Sequence, residues 1–412
     1  MANSQANYDV VIAGGGLVGG SLAVALAQTD CRVALVEAIP HDSVVQPSFD
    51  DRTIALSHGS CRILNGLGLW SDIGDDVWPI RQIHVSEQGR FGTAVIDAEE
   101  QGIDALGSVI KSRELGQVLW SHLEALSTIT TICPARVTAT ETKGDKRIVS
   151  LQTEAGTETI ATRLLVVADG ARSELRSALG IASSERDYRQ VAVVANVQVA
   201  GRYQGNVAYE RFTSNGPLAV LPGRNGQYTV VMARDSESAE EVMQLPDNEL
   251  LELLQQTFGY RLGRLGRIGK RVAYPLSLIT ADAVTAERAV VIGNAANGLH
   301  PVAAQGFNLG LRDVASLAEL IADNVGQGED FDPGSTALLS AYTEWRSGDQ
   351  AKVVRFTDSL IRSFGIAARP ISVARGMGLA AFDLLPGAKR ELARQTMGLA
   401  GRLSKLARGT RL

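Results

Sequence analysis

Gly14, Gly15 and Gly16 are followed by Leu17, Val18 and Gly19, which gives the spacing G-x-G-x-x-G. The motif follows a β-branched run, Tyr8–Ala13, and precedes an Ala-rich segment with helical apolar spacing, Leu17–Gln28. In that setting Gly14 permits a tight turn and Gly16 lets backbone approach a pyrophosphate. Gly19 lets the helix pack close to a sheet. The helix N-terminus then presents N–H groups without intrahelical partners, and the positive end of its dipole, to phosphate. A second apolar strand, Arg32–Glu37, ends in Glu37, eighteen residues after Gly19. A carboxylate there accepts hydrogen bonds from ribose hydroxyls and disfavours a 2′-phosphate. A bare structural turn is the plain alternative; strand, helix and terminal acid together favour a dinucleotide site.

Two further segments carry chemistry. Leu164–Ala168 is a short apolar strand that runs into Asp169-Gly170-Ala171-Arg172-Ser173, with Arg176 beyond. Asp-Gly also favours an ordinary turn, so that reading stays open. Val290–Ile292 is another buried strand, followed by Gly293-Asn294-Ala295-Ala296 and then by His300-Pro301-Val302-Ala303-Ala304-Gln305-Gly306-Phe307-Asn308-Leu309-Gly310-Leu311-Arg312-Asp313. Phe49–Ser57 contains Arg52, and Arg113 opens a helical pattern over Glu114–Leu126. Glu210-Arg211-Phe212 precedes the apolar run Gly216–Pro222, which includes Leu221.

In this order the segments resemble FAD-dependent aromatic hydroxylases of the ubiquinone-biosynthesis family, nearest its 2-polyprenyl-6-methoxyphenol hydroxylase group. The resemblance spans nearly the whole chain. It implies an α/β fold: a Rossmann-like FAD-binding domain with an inserted β-rich substrate domain and C-terminal helices. It places Gly14 to Gly19 and Glu37 on the FAD dinucleotide, Arg113 at its adenosine side, and Asp169 near the pyrophosphate and the path of the nicotinamide. It places Arg52 beside the flavin, Gly293 and Asn294 at the ribityl chain, and Gly306, Phe307 and Asn308 at the pyrimidine edge. A helix starting near Leu309 would aim its positive end at that edge. The family usually has an acid where this chain has Asn294; an amide still hydrogen-bonds ribityl hydroxyls but lacks the charge. His300 and Pro301 would lie at the reactive edge, where His300 either donates a hydrogen bond or packs. Arg211 and Leu221 would belong to a sheet wall over the ring; a plain core strand is the alternative. The implied reaction uses NADH or NADPH and dioxygen, through a flavin C4a-hydroperoxide, to hydroxylate the ring of a polyprenylated phenol. The cofactor does the hard chemistry while the protein orients the ring and excludes water. No second G-x-G-x-x-G follows a strand, so the nicotinamide cofactor binds transiently. The rivals are a flavin reductase or oxidase on the same scaffold, or a non-catalytic flavin-binding subunit.

These residues need a large frame. A chain of 412 residues exceeds one ordinary core. The expected division is a discontinuous FAD domain at 1–76, 110–180 and 280–344, a substrate domain at 77–109 and 181–279, and C-terminal helices at 345–412. Hydrophobic content of 45% and charge of 21% fit a folded enzyme, and a net charge of −5 gives no electrostatic basis for binding nucleic acid. Cys31, Cys61 and Cys133 lie too far apart for a metal motif or a disulfide framework, which fits a reducing cytoplasm and no metal. Val10–Thr29 is twenty uncharged residues, a membrane-span length, but its five glycines split it into strand, turn and helix. No basic stretch precedes it as in a signal peptide. From Gly387 to Leu412 there are seven basic residues and one acid among regularly spaced leucines. Such a helix lies on an anionic inner-membrane surface, docks on a partner of the ubiquinone-biosynthesis complex, or packs on its own domain.

Overall fold

The structure is a computed structural model. It describes residues 7–43, 46, 52–200, 205–299, 305–325, 331–365 and 385–412. The first strand, Asn7–Ala13, and the strand Val33–Val36 pair in parallel, and the helix Leu17–Leu26 connects them. Both strands are buried on both faces, which is why they read as unbroken apolar runs rather than alternating ones. Gly156–Val167 and Ala289–Val291 extend the parallel set on one side and Ile129–Ile132 on the other. The short strand Thr285–Ala286 and a meander of Ala135–Lys143 and Lys146–Thr153 complete an eight-stranded sheet. Segment 10–29 is therefore strand, turn and core helix. Among the described residues no helix is long and apolar enough to cross a membrane.

A second eight-stranded sheet is mostly antiparallel. Its order is Asn297–Gly298, Arg264–Ala281, Ser183–Ala200, Gln227–Asp235, Gly216–Pro222, Val207–Thr213, Gln82–Glu87, Thr93–Asp97. Ser183–Ala200 and Arg264–Ala281 each run 18 residues. The second was not legible as a strand, because charged residues and glycines interrupt its alternation. The helices Ser236–Gln244 and Asp247–Phe258 cover one face of this sheet with a separate apolar cluster built on Leu250, Leu254 and Phe258.

Between the two lies a three-stranded sheet of Thr53–Ser57, Gly107–Lys111 and Trp78–Ile80. It takes strands from both sides of the expected boundary, so segment 77–109 does not belong to one layer. The C-terminal helices are Thr336–Gly365 and Pro386–Thr396, and the helix Gln305–Val325 packs on Leu17–Leu26.

Candidate functional site

A cavity of about 1160 Å³ runs from the glycine turn to the uncovered face of the second sheet. At its first end, Gly14 has φ of +106°, and a Cβ there would lie 2.5 Å from the Ala168 carbonyl oxygen. A Cβ on Gly19 would lie 1.9 Å from the Gly14 carbonyl oxygen. The fold itself demands both glycines. Gly16 differs: it caps the helix with φ −66° and ψ −174°, which any residue adopts, and no side chain caps the helix N–H groups. Its lack of a side chain therefore matters toward the cavity, which it lines with Leu17 and Val18. Val18 also packs on the far motif, since a Cβ on Gly293 would sit 3.0 Å from it and one on Gly310 2.8 Å.

Glu37 is buried and held in place. Its Oε2 accepts the Gly15 N–H at 2.5 Å and its Oε1 accepts the Ile39 N–H at 2.9 Å. Oε1 also accepts from Gln46 Nε2 at 3.5 Å, and Oε2 keeps a further lone pair for a ribose hydroxyl. Ala135, Arg136 and Val137 line this end as well. They escaped the sequence reading because a meander strand carries no cofactor signature.

Asp169 faces the cavity at the end of Gly156–Val167. Burial pushes its carboxyl upward, and hydrogen bonds from Ser173 and the Leu175 backbone oppose that. The buried Arg176 donates from Nη1 to the Ala295 carbonyl at 2.7 Å and to the Ala171 carbonyl at 3.3 Å. It thus ties the Asp-Gly turn to the Gly293–Ala295 turn. Gly293 has φ of +60° and donates its N–H to Asp313 Oδ2 at 3.1 Å. Asp313 is fully buried and accepts from Arg346 Nε and Gln350 Nε2, so an ion pair beneath the turn sets the turn's position. Asn294 lines the cavity.

The helix after this turn includes Gln305, four residues before the expected start, so Gly306, Phe307 and Asn308 form its opening turn instead of preceding it. All three line the cavity. Asn308 is buried; its Oδ1 accepts the Ser57 N–H at 2.8 Å and its Nδ2 donates to the Ala55 carbonyl at 2.9 Å. The side chain fastens the helix start to Thr53–Ser57. Arg52 lines the cavity with its guanidinium 5.1 Å from the Tyr274 ring. Arg113 is exposed in the first turn of Ser112–Ala125 and does not line the cavity, whereas Ser112 does. His300 and Pro301 lie outside the described residues; Leu299 lines the cavity.

The far end is apolar. Leu221 lines it. Arg211 does not: it projects to the helix-covered face, donating from Nε to the Thr257 carbonyl at 2.9 Å and from Nη1 to Ser86 Oγ. Period-two alternation explains this. Ala208, Glu210 and Phe212 face the cavity, opposite Ile83, Val85, Ala219 and Leu221 from neighbouring strands. Glu210 is thus the charged residue of the tripeptide Glu210-Arg211-Phe212 that reaches the site, and the alternation around it was the available signal. Burial alone pushes its carboxyl up to about 7.

The C-terminal helix closes this end with Leu392 and Thr396. Its Ala393 and Met397 pack on Ile96, Ala98 and Leu106. Lys389 pairs with Glu100 at 3.2 Å, Lys405 with Asp323, and Arg402 stacks on Trp345 at 3.8 Å. Of the three roles open to this region, packing on its own domain is the one the geometry displays.

The donor set suits FAD. One cavity carries an uncapped helix start beside a glycine turn, a fixed carboxylate at the end of the next strand, an amide at the second turn, and a second helix start. Comparison with known proteins agrees. A ubiquinone hydroxylase, UbiL, of Rhodospirillum rubrum is 35% identical over 391 residues, covering 95% of this chain and 89% of that protein. The 3-demethoxyubiquinol 3-hydroxylase of Escherichia coli is 30% identical over 395 residues, covering 95% and 98%. The crystal structure of p-nitrophenol 4-monooxygenase PnpA from Pseudomonas putida shares the fold, with a TM-score of 0.77, 20% identity and coverage of 96% and 99%. A family model described as an FAD binding domain matches residues 7–357, and with both nucleotide turns in place the chain belongs to that FAD-binding family.

Proposed function

We propose that the protein is an FAD-dependent monooxygenase that hydroxylates the ring of a polyprenylated phenol in ubiquinone biosynthesis, with NADH or NADPH and dioxygen as co-substrates. The observation that carries this reading is the continuity of the cavity from the dinucleotide turns to an apolar sheet face. The relatives named as ubiquinone hydroxylases support the pathway. FAD, when bound, supplies electron transfer from the nicotinamide and the activation of dioxygen.

The chain's own residues do the rest. Backbone N–H groups at Gly16 and along the helix start hold the pyrophosphate, and Glu37 holds the ribose. The opening turn at Gly306 to Asn308 directs N–H groups and a positive dipole end toward negative charge on the ring system. Ile83, Ile96, Leu221 and Leu392 supply a wall that excludes water and receives an apolar tail. The buried Asp313–Arg346 pair keeps the second turn at its distance from the first.

The test is turnover of the purified yellow protein with NADH or NADPH, a short-chain prenylated phenol and isotopically labelled dioxygen. Labelled oxygen in the ring product is expected. NAD(P)H oxidation without labelled product would replace this reading with an oxidase or reductase. Normal quinone content in a deletion strain without a second hydroxylase would remove the pathway assignment.

A further inference from the structure

We infer that Glu210 is a catalytic residue that receives the ring hydroxyl of the substrate, accepting first its hydrogen bond and then its proton. The inference rests on the hydroxylase reading above and names the group that meets the phenol. Glu210 lies mid-strand in Val207–Thr213, with its Cα opposite Ala219 on one side and Val85 on the other. Its own neighbours on the cavity face are Ala208 and Phe212. A carboxyl group at the centre of an apolar wall needs partners, because an unpaired buried charge is costly. Glu210 Oε1 has no hydrogen-bond partner among the described residues. Among the described residues no charged residue flanks it on the cavity face. The other charged residues lining the cavity, Glu37, Arg52, Arg136, Asp169, Arg172 and Glu174, come from the dinucleotide-side elements. Arg211, next in sequence, is turned to the opposite face.

Among the described residues this carboxyl caps no helix and bonds no strand, so a structural role does not account for it. A ligand hydroxyl does. The chemistry is a plain proton transfer: the ring O–H bond breaks, a carboxyl O–H forms, and the electron pair stays on the ring oxygen. That electron density reaches the ring carbons, where hydroxylation requires it. The proton returns to the oxygen when product leaves. The elevated carboxyl affinity, about 7, brings the acceptor nearer to a phenol than an exposed glutamate would be.

The test measures binding, not turnover. A singly prenylated phenol and its methyl ether are titrated calorimetrically into FAD-loaded wild type, Glu210→Gln and Glu210→Leu, at about pH 6 and about pH 8, on either side of the carboxyl's shifted range. Wild type is expected to prefer the phenol by roughly tenfold or more at the higher pH, as for hydrogen bonds to charged groups. That preference should shrink at the lower pH. In Glu210→Gln it should be weaker and independent of pH, and in Glu210→Leu it should vanish while the ether binds as before. A preference that survives in the leucine variant, or that is absent from the wild type, overturns the role of Glu210 and leaves the hydroxylase reading standing. Failure of the flavin-loaded wild type to bind either compound overturns both.

Discussion

Glu210 makes a stability prediction that requires no substrate. Its folded carboxyl titrates near 7, pushed up from an ordinary value of 4.5 by burial. The sign follows from proton counting. Between those values the folded state holds a proton that the unfolded state has released, so stability falls as pH rises through the window, and the full cost is present above it. The shift corresponds to roughly 3 kcal/mol, and water entering the cavity lowers that to roughly 2 kcal/mol. At about 2 cal/mol/K per residue, 412 residues unfold with an entropy near 0.9 kcal/mol/K, so the cost appears as about 2 to 3 °C of thermal midpoint. Differential scanning calorimetry of wild type and Glu210→Gln at about pH 5 and about pH 8 isolates it, because every other titrating group is common to both proteins. The wild-type midpoint is expected to drop by that extra amount relative to the glutamine variant. Parallel curves would refute the placement of an unpaired carboxyl in this wall.

The remaining predictions concern the nucleotide end. Gly16→Val should leave the thermal midpoint of the flavin-free protein unchanged and abolish FAD retention, read by absorbance after gel filtration; a fully yellow variant counts against phosphate approach at this position. Gly19→Ala should instead lower expression and stability, since its Cβ would meet the Gly14 carbonyl at 1.9 Å, and added FAD should not restore the midpoint. Asp313→Asn should cost about 2 kcal/mol, measured by urea unfolding, because the buried Arg346 keeps Asp349 as partner but loses the charge that its Nε meets; a change below about 0.5 kcal/mol would show that the pair does not support the second turn. Arg176→Met should strip donors from the Ala171 and Ala295 carbonyls, destabilising by about 2 kcal/mol and weakening FAD affinity in fluorescence titration.

The parts legible in the sequence were those where one local pattern dictates one local shape. The turn Gly14–Gly19, the acid at Glu37 and the two-faced burial of Val10–Ala13 and Val33–Val36 needed nothing beyond spacing and hydropathy. Long-range partners were not legible. Nothing near Arg113 in the chain says that Ser112, and not the arginine, turns inward. Likewise nothing near Asp313 announces Arg346, 33 positions away. Arg211 differs in origin: strand parity was legible, and it puts the arginine on the face opposite Ala208, Glu210 and Phe212. The C-terminal basic region was ambiguous because composition describes what a helix can lie against and does not identify the surface; here Ile96, Ala98 and Leu106 receive it.

The small central sheet explains how two halves with separate cores act on one molecule. Thr53–Ser57 lines the cavity along its length. On one side Asn308 holds it, bonding both Ser57 and Ala55 from the first turn of the helix Gln305–Val325. On the other side Thr53 Oγ1 meets Thr229 Oγ1 of the second sheet at 2.7 Å, and Thr229 donates onward to Asn196. The strand is thus bonded to the helix start and to the sheet wall at once. Its partner Gly107–Lys111 has no room for a side chain at Gly107, where a Cβ would lie 2.1 Å from the Leu56 carbonyl, so the contact stays tight. The proposed reaction requires a fixed distance between a cofactor held at one end and a ring held at the other. The links that bridge the two ends are the Asn308 bonds to the Thr53–Ser57 backbone, the Thr53–Thr229 hydroxyl pair, and the apolar cluster of Ile80, Val109 and Ala208 that joins the central sheet to the second one.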